Sequence, residues 1–150
     1  MTMMATIQAA ERSHLGEIIE LLAELHGETP VLPPGEDLGA IFDAITRDPN
    51  RTLLVALEDS TVVGTLDVAI IANIGRGGRP WGVLENFVVA AGARERGVGS
   101  TLLAIAVDIC RQASCYKVQL VSHRRHLNAV GFYKRSGFDA PVRGFRRYLG

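Results

Sequence analysis

Cysteine is scarce in this sequence, with only Cys110 and Cys115 among 150 residues. That is too few for a disulfide scaffold, and a chain of this length can bury a core without one. Reduced thiols are expected. Long apolar runs are missing. The longest candidate, Val68 to Ile74, is strand-sized, far short of the roughly 20 residues that span a bilayer. The opening residues, Met1-Thr2-Met3-Met4-Ala5, lack a basic stretch followed by an apolar one. No signal peptide is read there, so a cytoplasmic protein with no membrane partner is expected. Aromatics make up only 6% of the chain and do not interleave with its basic residues, which argues against nucleic acid. The histidines are His14, His26, His123 and His126, and no acidic or cysteine partner sits at ligand spacing from them. No metal is expected.

Net charge is zero as well, yet the charges are segregated. Residues 1–90 carry 5 Lys or Arg against 13 Asp or Glu, a balance of −8. Residues 91–150 carry 11 against 3, a balance of +8. Solvated faces are the plain reading. The functional one is that the C-terminal half meets a polyanion and the N-terminal half a cation.

Apolar residues are 47% of the chain, ordinary for one globular domain over residues 1–150. The periodicity gives a strand at Ala5–Ala9 and an amphipathic helix from Glu11 to Leu25. A Pro- and Gly-rich loop over 27–35 leads to a second helix, Gly35–Arg47. Strands follow at Arg51–Leu57 and Thr61–Ile74. A glycine-rich connection over 75–80 leads to a central strand from Gly82 to Val89. A helix then starts near Val98, with Leu102, Ile105 and Ile109 on one face. Tyr116–Val121 reads as a strand, His126–Ser136 as the last helix, and Phe138–Leu149 as one or two closing strands. The order β-α-α-β-β-β-α-β-α-β(β) is that of an α/β protein.

The central strand, turn and helix organise the chain. Arg94-Glu95-Arg96-Gly97-Val98-Gly99-Ser100 joins strand to helix. Glycines let backbone approach a ligand closely, and the first helical turn offers unpaired N–H groups. An anion is expected at the N–H groups of residues 95–100. The turn is not a Walker A loop, because no lysine follows Gly99. It is not a dinucleotide fingerprint either, because Leu102 stands where a third glycine belongs.

Three stretches together resemble the GNAT superfamily of acyl-CoA-dependent N-acyltransferases. They are Glu85-Asn86-Phe87-Val88-Val89, the Arg-x-x-Gly-x-Gly of 94–99, and Asn128 to Phe138 with its Phe-Tyr-x-x-x-Gly-Phe. The resemblance covers the chain from about residue 4 onward. It implies a mixed, mostly antiparallel central sheet of six to seven strands with helices on both faces. It implies acetyl-CoA as cosubstrate and a small amine as acceptor. The cofactor-binding set would be Phe87, Val88, Val89, Arg94, Glu95, Arg96, Gly97, Val98, Gly99, Ser100, Asn128 and Tyr133. A strand N–H near Val88 or Val89 would meet the thioester carbonyl. Glu85 is a candidate base, since an amine must lose a proton before it attacks; it could equally be a structural carboxylate paired with an arginine. Tyr133 is a candidate acid for the departing thiolate, or a packed aromatic. The resemblance also admits a homodimer. Absence of cysteine on the central strand favours direct transfer in a ternary complex.

The acceptor is less defined. Glu24, Glu28, Glu36 and Asp37 would suit a cationic amine. Arg76, Arg79, Arg124 and Arg125 would suit a phosphorylated amino sugar. A CoA-binding sensor module without catalysis is the remaining reading.

Overall fold

The computed structural model describes residues 4–27, 37–123, 126 and 128–150. Five strands and four α-helices form among them. β1 (Thr6–Ala9), β2 (Arg51–Glu58), β3 (Thr61–Ile71), β4 (Trp81–Val89) and β5 (Lys117–Leu120) lie in that order across one sheet. The first four run antiparallel to their neighbours, and β4 and β5 run parallel. A parallel pair needs a crossover, and α3 (Val98–Gln112) supplies it. The helices α1 (Leu15–His26) and α2 (Leu38–Arg47) precede β2, and α4 (Ala129–Arg135) follows β5.

Two cores lie on the two faces. Leu54, Leu66, Val68 and Leu84 pack with Leu102, Leu103 and Ala106 of α3. Val55, Val62 and Val88 pack with Ile18, Leu21 and Phe42 of α1 and α2. Helices on both faces of a mixed, mostly antiparallel sheet agree with the sequence reading. No helix among the described residues is long and apolar enough to cross a membrane.

The strand number differs from expectation. The sheet has five strands rather than six to seven, and residues 138–150 form no strand. Val142, Phe145, Tyr148 and Leu149 are exposed there. A strand is stabilised by what its face packs against, and this segment has no such face. Pro141 also removes a ladder donor. The first helix starts later than read. Arg12–His14 is a 3₁₀ turn, closed by the Glu11 N–H donating to His14 Nδ1 at 3.0 Å. Arg47 ends α2 as read, while its start moves to Leu38, capped by the Asp37 carboxylate accepting from Ala40 N at 3.1 Å. Residues 28–35 of the preceding loop, and Gly35 and Glu36 at the start of the helix as read, lie outside the described residues.

α4 is shorter than read, and its end explains the Gly-Phe of the motif. Gly137 has φ 89°, the left-handed conformation that glycine adopts without strain. Its N–H donates to Lys134 O at 3.1 Å, and that of Phe138 donates to Tyr133 O at 2.9 Å. This paired closure brings Phe138 back onto the helix, 6.0 Å from the Tyr133 ring centre. Both cysteines are free thiols, Cys110 buried in the α3 core and Cys115 half-buried.

Candidate active site

β4 changes character along its length. From Trp81 to Leu84 it is paired on both sides, with Ile71–Val68 of β3 and Lys117–Leu120 of β5. Beyond Leu84 the pairing with β5 stops, while β3 continues to Val89. Asp67 pairs with Glu85 and Thr65 with Val88, so two steps on β3 span three on β4. The extra residue is a β-bulge, which bends a strand and interrupts its ladder. Asn86 has φ 53° there, a left-handed conformation that asparagine tolerates better than β-branched residues. Its Oδ1 lies 3.3 Å from His26 Nε2 at the end of α1. Downstream of the bulge the faces exchange. Phe87 and Val89 join Leu84 on the α3 side, and Val88 turns toward α1.

An open cleft of about 1720 Å³ lies where β4 and β5 part. Glu85, Phe87, Val88, Val89, Arg94, Glu95, Gly97, Gly99, Ser100, Asn128 and Tyr133 all line it. Two residues of the expected set do not. The Arg96 guanidinium turns away to Glu58 Oε2 at 2.9 Å and Gly92 O at 3.2 Å. Val98 is buried in the α3 core. What those two positions offer the cleft is backbone.

That backbone is distinctive. The first hydrogen bond into α3 is from Thr101 N to Gly97 O at 3.0 Å. The N–H groups of residues 95–100 have no acceptor among the described residues. Glu95 at φ 62° and Gly97 at φ 83° turn these amides into a concave arc at the helix start. Free N–H groups and a helix dipole at such an arc favour an anion, each worth about 0.3–1 kcal/mol. Arg94 borders the arc, with Nε donating to Val89 O at 3.1 Å and a guanidinium nitrogen 3.8 Å from Glu24. At Gly99 an added Cβ would lie 3.5 Å from the Phe87 and Phe132 rings, so the helix start sits against the strand's aromatic wall.

Tyr133 stands in that wall, its ring centre 6.3 Å from Phe87 and 5.3 Å from Phe132. Burial pushes its pKa above the ordinary phenol value, so the hydroxyl keeps its proton at neutral pH. The hydroxyl has no hydrogen-bond partner among the described residues. Glu85 is exposed and likewise has no hydrogen bond or ion pair among them. The alternative of a structural carboxylate paired with an arginine is therefore not met among these residues.

Sequence reasoning missed Asn86 and His26. The signal was an asparagine, a poor strand former, in a β-branched run. It also missed the ion pair between Arg51 and Asp67 behind Glu85, which only the register reveals. Of the other histidines, His14 is buried as a turn acceptor. His123 and His126 line the cleft with ring centres 6.5 Å apart. Arg124 and Arg125 lie outside the described residues. Arg76 stacks over Tyr116 at 5.3 Å, and Arg79 donates to Ser114 O and Cys115 O, both away from the cleft. No cluster of three or more potential metal-ligating side chains occurs among the described residues.

A strand that leaves its parallel neighbour beside a helix start rich in free amides is the site of an α/β protein suited to an extended, anionic ligand. Residues 16–138 match the Acetyltransferase (GNAT) family, and the chain belongs to that family. It is therefore an acetyl-CoA-dependent N-acetyltransferase. It is 32% identical over 141 residues to "Glucosamine 6-phosphate N-acetyltransferase" of Trypanosoma brucei brucei, covering 93% of this chain and 92% of that protein. It is 29% identical over 109 residues to "Aminoalkylphosphonate N-acetyltransferase" of Salmonella typhimurium, covering 72% and 70%. Among solved structures, a putative acetyltransferase from Agrobacterium tumefaciens superposes with a TM-score of 0.88 at 33% identity, covering 96% of this chain and 99% of that one.

Proposed function

We propose that acetyl-CoA lies along the unpaired edge of β4 with its pyrophosphate in the amide arc, and that a small primary amine attacks it directly. The observation that carries this reading is one wall of one cleft, along which the β4 edge parts from β5 beyond Leu84 and the N–H groups of residues 95–100 have no acceptor among the described residues. The amine nitrogen bonds to the thioester carbonyl carbon. The developing oxyanion takes a strand N–H near Val88 or Val89, a donor worth about 10²–10³ in rate. Glu85 removes the amine's proton through water. The C–S bond then breaks, and the Tyr133 hydroxyl protonates or hydrogen-bonds the CoA thiolate. Cys110 is buried behind Gly82, where an added Cβ would meet its Sγ, and an acyl-cysteine step has no thiol on β4 or its following turn. A cytoplasmic location and a homodimer belong to the same reading.

The acceptor's charge is open to a second reading. Of the acidic rim first considered, Glu24 reaches Arg94 and Asp37 caps α2. Glu28 and Glu36 lie outside the described residues. Arg135, Arg146, His123 and His126 line the cleft, which favours an amine that also carries a phosphate or phosphonate. The two curated relatives act, by their names, on such compounds. A thiol-release assay with acetyl-CoA tests both. The panel is glucosamine 6-phosphate, aminoalkylphosphonates, polyamines and aminoglycosides. Release with a phosphorus-bearing amine alone supports the second reading. Release with unphosphorylated amines supports the first. Acetyl-CoA binding with no release from any amine would make the domain a sensor.

A further inference from the structure

The assigned machinery leaves one buried carboxylate unused. Asp67 is the only buried acidic residue among those described. It stands directly across from Glu85 in the β3–β4 register. The two side chains share a face, because Leu66, Val68 and Leu84, next to them in sequence, point into the α3 core. Arg51 reaches the same face from β2, two residues from Leu53, the other register partner of Asp67. Its guanidinium holds both carboxylate oxygens, Nε to Oδ1 at 3.1 Å and Nη2 to Oδ2 at 2.5 Å.

Two carboxylates directly opposed on antiparallel strands repel each other, and a buried one costs more. The β2–β3 ladder needs no help here, since Ile70 N already donates to Asn50 O at 2.8 Å beside the pair. The pair's distinctive product is electrostatic. It cancels the charge facing Glu85.

We propose that Arg51 and Asp67 are positioning residues for the acceptor amine, forming a neutralised pair that leaves Glu85 as the one unopposed carboxylate that the described strands present on this face. This rests on the reading of Glu85 as the base. The other charged and titratable groups around Glu85 and the pair are Asp48 before β2, which also acts on Arg51, Glu17, Glu24 and His26 of α1, Arg94 and Glu95 before α3, Lys117 of β5, and His123 and His126 across the cleft. None of these is its register partner. Hydrogen bonding to Asp67 holds the Arg51 guanidinium firmly protonated, partly offset by burial.

The test is the acidic limb of kcat/KM against pH, measured at low salt with the best acceptor, beside thermal melting. Arg51→Met leaves Asp67 bare beside Glu85 and should move the limb up by about 0.5–1 pH unit. Asp67→Asn leaves an unpaired guanidinium there and should move it down by about as much. The double variant restores neutrality and should bring the limb back toward wild type. Arg51→Lys, which keeps the charge, should leave it in place and covers the case where Arg51→Met does not fold. Opposite shifts with reversion support the proposal. Limbs unmoved in every variant, with lowered melting temperatures alone, overturn it and reduce the pair to a structural tie. Glu85→Gln separates the underlying reading. If it retains the wild-type limb, Glu85 is not the base, and the proposal falls with that reading. If it abolishes the limb while the Arg51 and Asp67 variants leave it unmoved, the proposal alone fails.

Discussion

The two halves of β4 are built from the same kind of sequence and stand in opposite surroundings. Trp81–Leu84 has strands on both sides, and Gly82 packs against buried Cys110 so closely that it has no room for a Cβ. Val88 and Val89 have the same β-branched chemistry, but one edge of their backbone is free of β5. The clamped half spends its hydrogen bonds on the sheet. The parted half has no strand on that edge, where Arg94 Nε donates to Val89 O. Damage to the first should therefore read out as stability, and damage to the second as catalysis or cofactor affinity.

The largest effect should come from Tyr133→Phe, which deletes one hydroxyl from the parted half's aromatic wall. A general acid contributes about 10²–10⁴ in rate, so kcat should fall by that range with acetyl-CoA affinity nearly unchanged. Rates within twofold of wild type would make Tyr133 a packing residue only. Ser100→Asp comes next. An acid in the first helical turn favours the helix, yet it sits in the amide arc and repels a pyrophosphate. Acetyl-CoA affinity should drop at least about tenfold while the melting temperature holds or rises. Calorimetry showing unchanged affinity would remove the arc as the cofactor site.

Gly82→Ala probes the clamped half. Its Cβ would sit 2.3 Å from Cys110 Sγ, a clash that the core must relieve. Overpacking of this kind costs about 1–3 kcal/mol. Thermal melts should show the loss, with kcat of the folded enzyme little changed, and Cys110→Ala in the same chain should recover part of it. A fall in kcat without a fall in stability would erase the distinction between the halves.

The smallest effect concerns pH in the same clamped half. Burial pushes the Cys110 thiol up to about 11. An unfolded thiol ionises near 8.5, so above that pH the unfolded chain loses its proton first. The unfolded state then binds fewer protons than the folded one, and stability declines from about pH 8.5 up to about pH 11. Melting temperature should fall by a few degrees over pH 8.5–10, and Cys110→Ala should flatten that slope. Equal slopes in both proteins would show that Cys110 ionises freely in the fold.

Much of this was legible in the residues. The 3.6-residue period of Val98, Leu102, Ile105 and Ile109 marked α3, and Gly97 with Gly99 marked its amide-rich start. Gly137 marked the end of α4. The bulge was not legible, because an extra residue exists only relative to a partner strand. Val88 reads as one more strand residue until Thr65 is set opposite it. The Arg51–Asp67 pair was hidden for the same reason. The closing strands over 138–149 were read from local residue types, which say nothing about whether a packed face is waiting for them.

The bulge at Asn86 also sets what this sequence can lose. Because that one residue is taken up by the bulge, deleting Asn86 would return β4 to plain alternation, with Phe87 and Val89 still on the α3 side and Val88 still toward α1. A further residue inserted beside it would instead send Phe87 and Val89 toward α1 and Val88 to the α3 side. Loss of length here removes the left-handed turn and its contact with His26, whereas gain of length reverses the faces.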